Sequence, residues 1–325
     1  MKKSLIALAV LGSIAGVAQA QSTVTLYGIA DVWVGSTKSG LTGKSTTVLN
    51  SGGFNGSRFG LKGSEDLGGG LKAVFKLEQG FNVDTGTQSI PGSAFGRQSY
   101  VGLEGGFGSV TFGNVWSSMD DIIGNGNGAF DTGGFSPLYS MDRSVHATYQ
   151  DRPRNAIKYT SPDFGGISAG FTYGLDESAT AKTDFTDFNV AYAGGPIGVS
   201  LGYQVLNAVT DTKLTLLNGS YDLGVAKLLA NYGQVKTGAA KSTSVQIGAD
   251  VPLGAALTLS GSFAQTKDNA TLGDGKRTGF GLAAKYSLSK RTFVYAGLNN
   301  VEEKDGAGVK IDKFNLYAVG MQHSF

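Results

Sequence analysis

The residues best suited to act on another molecule in this chain are charged, and they form two groups. The first group is basic and is spread over predicted strands: Arg58, Lys62, Arg97, Arg152, Arg154 and Lys158. The second group is acidic and lies in one glycine-rich segment: Asp120, Asp121, Asp131 and Asp142. Guanidinium groups stay charged at any working pH. Set opposite carboxylates across a narrow gap, they would create a transverse field that orients polar solutes and biases the passage of ions.

Catalytic chemistry has weaker support. A G-x-S-x-G match surrounds Ser168, but that hydrolase pattern requires a strand–turn–helix around the serine, and Ser168 lies inside an alternating strand. The chain has only two histidines, His146 and His323, so a Ser-His-Asp triad has little to draw on. It also contains no cysteine. We therefore expect neither an enzyme nor a metal or cofactor site.

Strand alternation places the first basic side chains. A strand that turns Phe59 and Leu61 to one side turns Arg58 and Lys62 to the other. In the same way, the apolar positions of the next predicted strand turn Lys72, Lys76 and Glu78 inward: Leu71, Phe75 and Leu77. A charge on the lipid side of a membrane strand costs about 2–4 kcal/mol at the midplane, which favours the inward placement.

Two further strands supply the remaining basic residues. Arg97 begins a strand in which Tyr100 is expected to point outward, and this parity turns Arg97 inward. Another strand carries Ile157 and Tyr159 outward and Lys158 inward. Arg154 and Arg152 share the parity of Lys158, and the sequence leaves open which of these two arginines takes part.

The elements that carry these residues are amphipathic strands. The last one alternates an apolar set with small or polar residues and stops on an aromatic: Tyr317, Val319, Met321, His323 and Phe325. Chain ends usually fray in soluble proteins. A final strand with this pattern is typical of one that closes a barrel in a bilayer, with Phe325 in the aromatic girdle.

The connections between strands alternate in length. Seven are short and turn-like, and eight are longer and polar, which together join sixteen strands in a meander. The longer connections are predicted at about residues 35–56, 81–94, 116–152, 176–184, 207–212, 235–241, 267–276 and 301–312. We therefore predict an all-β fold, a 16-stranded antiparallel transmembrane β-barrel around an aqueous lumen. A soluble β-sandwich is less consistent with apolar residues on the outward face.

Composition fits an exported membrane protein. Lys2 and Lys3 precede an apolar run that ends at an A-x-A site, so residues 1–20 are predicted to be a cleaved signal peptide and 21–325 a single barrel domain. Removing these two lysines takes the formal charge from +2 to zero, which gives no basic footprint for nucleic acid. No apolar stretch in the remainder is long enough for a transmembrane helix.

Several stretches identify a family. The chain closely resembles the general (non-specific) porins of Gram-negative outer membranes, in particular their β-proteobacterial subgroup, in Ser22–Gly28, Ser57–Lys72, Tyr159–Gly166 and the terminal Phe325. The resemblance covers the mature chain. It implies a homotrimer in the outer membrane that passes small hydrophilic solutes and ions by diffusion. It also implies lipopolysaccharide and the barrel-assembly machinery as partners, the latter reading the strand that ends at Phe325.

The resemblance also assigns roles to the two charged groups. In these porins the third loop, here about 116–152, folds into the lumen and its acids face an arginine cluster, which Arg58, Arg97 and Arg154 match by position. An excess of basic groups at this waist predicts a mild anion preference. The alternatives are a solute-selective channel or, from other classes, a barrel adhesin or hydrolase.

Overall fold

The computed structural model describes residues 23–128, 133–177 and 184–325. Within these ranges the chain forms one closed sheet in which all neighbouring strands are antiparallel. The strands are β1 (Thr23–Ser39), β2 (Thr46–Ser51), β3 (Arg58–Gly68), β4 (Leu71–Gly80), β5 (Gln98–Gly105), β6 (Gly108–Asn114), β7 (Ala156–Thr160), β8 (Ile167–Gly174), β9 (Phe185–Gly194), β10 (Ile197–Leu206), β11 (Thr212–Asp222), β12 (Lys227–Thr237), β13 (Ala240–Leu253), β14 (Leu257–Asp268), β15 (Lys276–Ser287), β16 (Thr292–Lys304) and β17 (Lys310–Ser324). The predicted signal peptide, residues 1–20, lies outside the described residues and stays a prediction.

Two of these segments share one place in the barrel. β2 pairs with the second half of β1, and β3 pairs with its first half. They are therefore two parts of a single barrel strand that is interrupted at residues 52–57. Counted in this way the barrel has sixteen strands, which confirms the predicted fold class.

The barrel closes where the last strand meets the first. β17 pairs with β1 over eleven positions, from Ile29 opposite Ser324 to Ser39 opposite Phe314. The ladder continues to the final residue, since Gly28 N donates to Phe325 O at 2.9 Å and Phe325 N donates to Gly28 O at 3.0 Å. Closure leaves no sheet edge exposed, as a spanning sheet in lipid requires.

Alternation separates the two faces as predicted. Apolar side chains such as Val199, Leu201 and Ile247 are exposed on the outer surface. Polar side chains between them, such as Ser200 and Gln246, are buried toward the interior. The outer surface is therefore apolar and the inner wall mostly polar, the distribution that a barrel in a bilayer needs.

The connections differ from the prediction in three places. The eighth long connection, predicted at 301–312, is reduced to residues 305–309 because β16 continues to Lys304 and β17 starts at Lys310. The sixth long connection, predicted at 235–241, is reduced to two residues because β12 continues to Thr237 and β13 starts at Ala240. The first, predicted at 35–56, contains the end of β1 and all of β2. Polar composition misled the prediction here, because strands that extend beyond a membrane keep their ladder while losing their apolar face. Across the described ranges, no helix has the length and apolarity needed to cross a membrane.

Candidate constriction site

The third loop connects β6 to β7, and its described parts, residues 115–128 and 133–155, lie inside the barrel. It contains two short helices, α1 (Asp120–Ile123) and α2 (Val145–Thr148), and a 3-10 turn at Leu138–Ser140. Its first turn is fixed by Asp187 on the inner face of β9, whose carboxylate accepts from Ser118 N at 3.0 Å and from Met119 N at 2.8 Å. Charge-assisted hydrogen bonds of this kind are stronger than neutral ones.

Side-chain amides on the inner wall hold the rest of the loop. Asn218 Nδ2 on β11 donates to Ile122 O at 2.8 Å, and Asn299 Nδ2 on β16 donates to Gly134 O at 2.7 Å. An irregular segment inside a barrel has no strand partner for its backbone, so the wall supplies the missing hydrogen bonds. The loop therefore follows the β9–β17 half of the wall and leaves the β3–β6 half facing it across the lumen.

Apolar contacts fix the loop as well. Met119, Ile122 and Val145 pack on Leu214 and Leu216 of β11, which are fully buried. These two leucines are apolar residues on a mostly polar inner face, because loop side chains cover them. Apolar inward residues on one strand were the sequence signal for this docking surface.

Glu78 organises the facing wall. It is buried, and it pairs with Arg97 Nε at 2.8 Å and Lys76 Nζ at 3.4 Å. Tyr27 also donates its hydroxyl to Glu78 at 2.7 Å. Lys62 and Lys76 lie over the Tyr27 ring, with their Nζ atoms 5.4 and 5.5 Å from its centroid. These contacts place Lys62, Lys76 and Glu78 on the inner face, as parity predicted.

The arginines gather beside Glu78. Arg58, the first residue of β3, donates from Nε to Gly56 O at 2.9 Å. An ideal Cβ at Gly56 would lie 3.2 Å from Arg97 Nη1, so the Arg97 guanidinium packs on the same residue. Arg152 interacts electrostatically with both Arg58 and Arg97. Three guanidinium groups therefore share one region of the lumen.

The predicted outward orientation of Tyr100 is wrong, although the Arg97 side chain does reach Glu78. Tyr100 pairs with Lys76 in the β4–β5 ladder, so both side chains lie on the inner face, while Val101 and Leu103 are exposed outside. Tyr100 is therefore inward, not outward. Arg97 precedes β5. Its own backbone N donates to Glu78 O at 3.2 Å, and this hydrogen bond holds the residue beside the inner wall.

Arg152 and Arg154 line the same cleft, but they differ in exposure and in their contacts. Arg152 bonds the neighbouring Asp151 and faces the arginine group described above. Arg154 is exposed, and it lines a cleft with Ile90 and Phe185 at the long-loop end of the barrel. Asn155, with a φ of 51°, lies between Arg154 and the start of β7 at Ala156, so parity counted back from Lys158 does not hold for Arg154.

The acidic residues of the third loop also lie in different places. Asp121 Oδ1 lies 2.7 Å from Lys158 Nζ, and Asp120 accepts from the Tyr149 hydroxyl at 2.8 Å. Asp142 is exposed on the other arm of the loop, in a polar cleft beside Arg277 of β15. Asp131 lies outside the described residues. The structure thus brings Asp120 close to Arg152 and Asp121 close to Lys158 of β7, but it leaves Asp142 apart.

The loop environment changes the protonation of its groups. Burial raises the pKa of Asp120 to about 7, and the Tyr149 hydrogen bond and the Arg152 charge oppose this rise. Burial also raises the pKa of Asp121, opposed chiefly by Lys158. Burial lowers the pKa of His146 to about 4, so this histidine is neutral at neutral pH.

Sequence reasoning missed the residues that position the site. Asp187, Asn218 and Asn299 anchor the loop, and Asp31 holds the backbone next to Arg58. Each lies at an inward position of its strand, and this was the available signal. Nothing in a single strand, however, distinguishes an inward amide that faces water from one that binds a loop.

Comparison with known proteins gives consistent results. A family model described as Gram-negative porin matches residues 7–306. The chain is 37% identical to outer membrane porin protein 32 of Delftia acidovorans, over 99% of this chain and 95% of that protein. It is 32% identical to an outer membrane porin protein of Bordetella pertussis, over the full length of both.

Solved structures agree. An anion-selective porin from Comamonas acidovorans superposes with a TM-score of 0.82 at 30% identity, covering 94% of this chain and all of that one. OmpT of Vibrio cholerae in its trimer form has a TM-score of 0.70 at 15% identity, covering 94% of this chain and 99% of that one, and supports the fold alone.

Proposed function

Because the chain belongs to the Gram-negative porin family, we propose that its diffusion path narrows between the third loop and the arginine-bearing wall. The protein is an outer-membrane porin, a water-filled channel for passive passage of small hydrophilic solutes and ions. The proposal concerns where this channel is narrowest and which charges lie there. Its basic side consists of Arg58, Arg97 and Arg152 with Lys62 and Lys158 nearby.

The observation that carries the proposal is the position of the third loop inside the barrel. The loop is fastened to one half of the wall by Asp187 and Asn299, so the open cross-section lies against the other half. That half carries Arg58 and Arg97. Fixed charges on both sides of a narrow passage align dipolar solutes and disfavour apolar ones, which lose hydration without compensation.

We further propose a mild preference for anions. The basic residues at this level outnumber the acids, with Arg58, Lys62, Lys76, Arg97, Arg152 and Lys158 against Glu78, Asp120, Asp121 and Asp151. The similar Comamonas porin is described as anion-selective. The test is the reversal potential of the purified protein in a planar bilayer under a KCl gradient, and a clear cation preference would contradict the proposal.

The arginine wall has its own test. The double variant Arg58→Ala, Arg97→Ala should conduct more current and show a smaller anion preference than the unmodified channel. Unchanged conductance and selectivity would remove both arginines from the constriction. Liposome swelling with sugars of graded size then separates general diffusion, in which rate falls smoothly with size, from a solute-specific channel that one solute saturates.

We also propose how the channel is assembled. It is expected to be a homotrimer that contacts lipopolysaccharide, exported through its N-terminal signal and folded by the barrel-assembly machinery. Crosslinking of the protein in native membranes, followed by gel electrophoresis, tests the trimer.

Asp142 and Asp131 of the third loop, and Arg154 near its end, are proposed as secondary charges along the diffusion path.

A further inference from the structure

The interruption of the second barrel strand forms a distinct structure, which we name the inward bulge (residues 52–57). β2 pairs with β1 as far as Val32, and β3 resumes pairing at Ile29. The bulge therefore inserts its residues opposite only Ala30 and Asp31. Its Phe54 is buried with Trp33 and Tyr295 inside the barrel, so the extra chain folds toward the lumen.

The Asp31 carboxylate binds the bulge backbone. It is fully buried, and it accepts from Gly53 N at 3.0 Å, Phe54 N at 3.1 Å and Asn55 N at 2.9 Å. The Tyr295 hydroxyl of β16 donates a fourth hydrogen bond to the same carboxylate. Three successive N–H groups aimed at one carboxylate form an anion-binding concavity that fixes the bulge.

The backbone of Asp31 secures both ends of the bulge. Gly52 N donates to Asp31 O at 2.9 Å at the start, and Asp31 N donates to Ser57 Oγ at 2.9 Å at the end. Ser57 Oγ also donates to Asp31 O at 3.1 Å. One residue of β1 thus determines where the bulge leaves the sheet and where it returns.

The bulge in turn touches both sides of the passage. Its Gly56 carries the carbonyl that binds Arg58 and the surface on which Arg97 packs. Its Gly53 carries the carbonyl that accepts from Gly134 N in the third loop, at 3.2 Å. The same six-residue segment therefore contacts the basic wall and the far end of the loop.

We propose that Asp31 is a positioning residue for ion selectivity, which acts through the inward bulge on Arg58, Arg97 and the docking of the third loop. This inference rests on the proposed constriction and adds the residue that sets its geometry. Asp31 itself does not reach the lumen water, because its side chain is fully buried.

The variant Asp31→Asn separates position from charge. Loss of a negative charge alone would raise anion preference, since less negative potential remains in the barrel. Loss of the bulge would lower it, because Arg58 and Arg97 would no longer be held at the waist. We expect the anion-to-cation permeability ratio to fall and open-channel current noise to rise. Tyr295→Phe removes one hydrogen bond without changing charge, and we expect a smaller change in the same direction.

The third loop supplies a second measurement. Ser136 is fully buried in the loop near Gly134, and the chain has no cysteine, so Ser136→Cys adds a single reporter thiol. We expect a water-soluble thiol reagent to modify it about tenfold faster in the Asp31→Asn background, as loss of a charge-assisted hydrogen bond would allow. Heat-modifiable migration on a gel shows that the variants retain a folded barrel.

The outcomes distinguish this inference from the proposed constriction. If Arg58→Ala, Arg97→Ala leaves selectivity unchanged, the constriction itself is misplaced. If that pair lowers anion preference but Asp31→Asn and Tyr295→Phe leave both selectivity and thiol reactivity unchanged, Asp31 has no positioning role. Asp31→Asn could instead raise anion preference by the same amount in the presence and in the absence of Arg58 and Arg97. The effect of the substitution would then be one of charge alone, and the proposal would be overturned.

Discussion

Glu78 and Arg97 form a buried ion pair on the inner wall, with Arg97 Nε 2.8 Å from Glu78 Oε1. Lys76 and Tyr27 bind the same carboxylate, so a single acid orients one guanidinium, one ammonium and one phenol. Long basic side chains have many rotamers, and pairing with a fixed carboxylate restricts them. The basic wall is therefore an ordered array that holds its shape through Glu78.

Glu78→Gln should make the channel more anion-selective. The amide keeps the shape and one acceptor but removes the negative charge that offsets Arg97 and Lys76. We expect a more anion-selective reversal potential in a KCl gradient and a stability loss of about 1–3 kcal/mol. The matched control is Glu104→Gln, which removes the same charge at the short-turn end of β5, opposite Lys72. An equal response in both variants would mean that bulk lumen charge, not this pair, sets selectivity.

Alternation predicted the parts of this site that lie in regular strands. Arg58, Lys62 and Lys158 are found on the inner face because each is next to an apolar residue that is exposed on the outer face, namely Phe59, Leu61 and Ile157. The sheet repeats every two residues, so sidedness is a local property that a single strand reveals. The same holds for the sixteen-stranded meander, which follows from the order of strands and turns.

The prediction failed where the chain leaves the ladder. The left-handed backbone of Asn155 breaks the alternation between Lys158 and Arg154, and pairing with Lys76 puts Tyr100 on the inner face and not on the predicted outer one. The inward bulge and its hold on Asp31 depend on contacts between β1, β3 and β16, which no strand shows by itself. Tertiary contacts of this kind are apparent only in the assembled barrel.

Asp187→Asn should loosen the start of the third loop. The carboxylate accepts two loop N–H groups and one from Gln204, and an amide would turn a donor toward them. We expect larger current fluctuations in single-channel recordings and a stability loss of about 1.5–3 kcal/mol. Asp222→Asn serves as the control, because Asp222 caps only a short turn through Gly224 N. If the current fluctuations are unchanged in both variants, other contacts suffice to hold the loop.

Selectivity should depend on pH near neutrality. Asp120 has a pKa of about 7, so it is neutral below this pH and negative above it. Lowering the pH from 8 to 6 removes a negative charge from the passage, and anion preference should increase. His146 does not titrate in this interval, since its pKa is about 4. Asp120→Asn should show the low-pH selectivity at both pH 8 and pH 6. If this variant keeps the full pH response, another group is responsible for the titration.

Gly297→Val should displace the third loop. An ideal Cβ at Gly297 would lie 2.7 Å from the Phe135 ring and 2.9 Å from Leu282 O, so a larger side chain has no room on the inner face. Overpacking of this kind costs about 1–3 kcal/mol. We expect the loop to move toward the lumen axis and single-channel conductance to fall. Gly219→Val is the control, because a Cβ at Gly219 meets nothing within 4 Å. If Gly297→Val has normal conductance, the added side chain displaces the barrel wall and not the loop.

Removal of Phe325 should slow assembly more than it weakens the finished barrel. The residue contributes the last two backbone hydrogen bonds of the β1–β17 seam, and its ring lies over Gly28, where any side chain would collide with it. The remaining ladder from Ser324 to Phe314 still closes the barrel. We therefore expect a truncation after Ser324 to insert slowly in cells, yet to reach a similar melting temperature once folded in detergent. Phe325→Tyr keeps an aromatic ring and the backbone bonds, so it should insert normally. Insertion of the truncated chain at the full rate would leave Phe325 with no assembly role, and the seam alone would then account for closure.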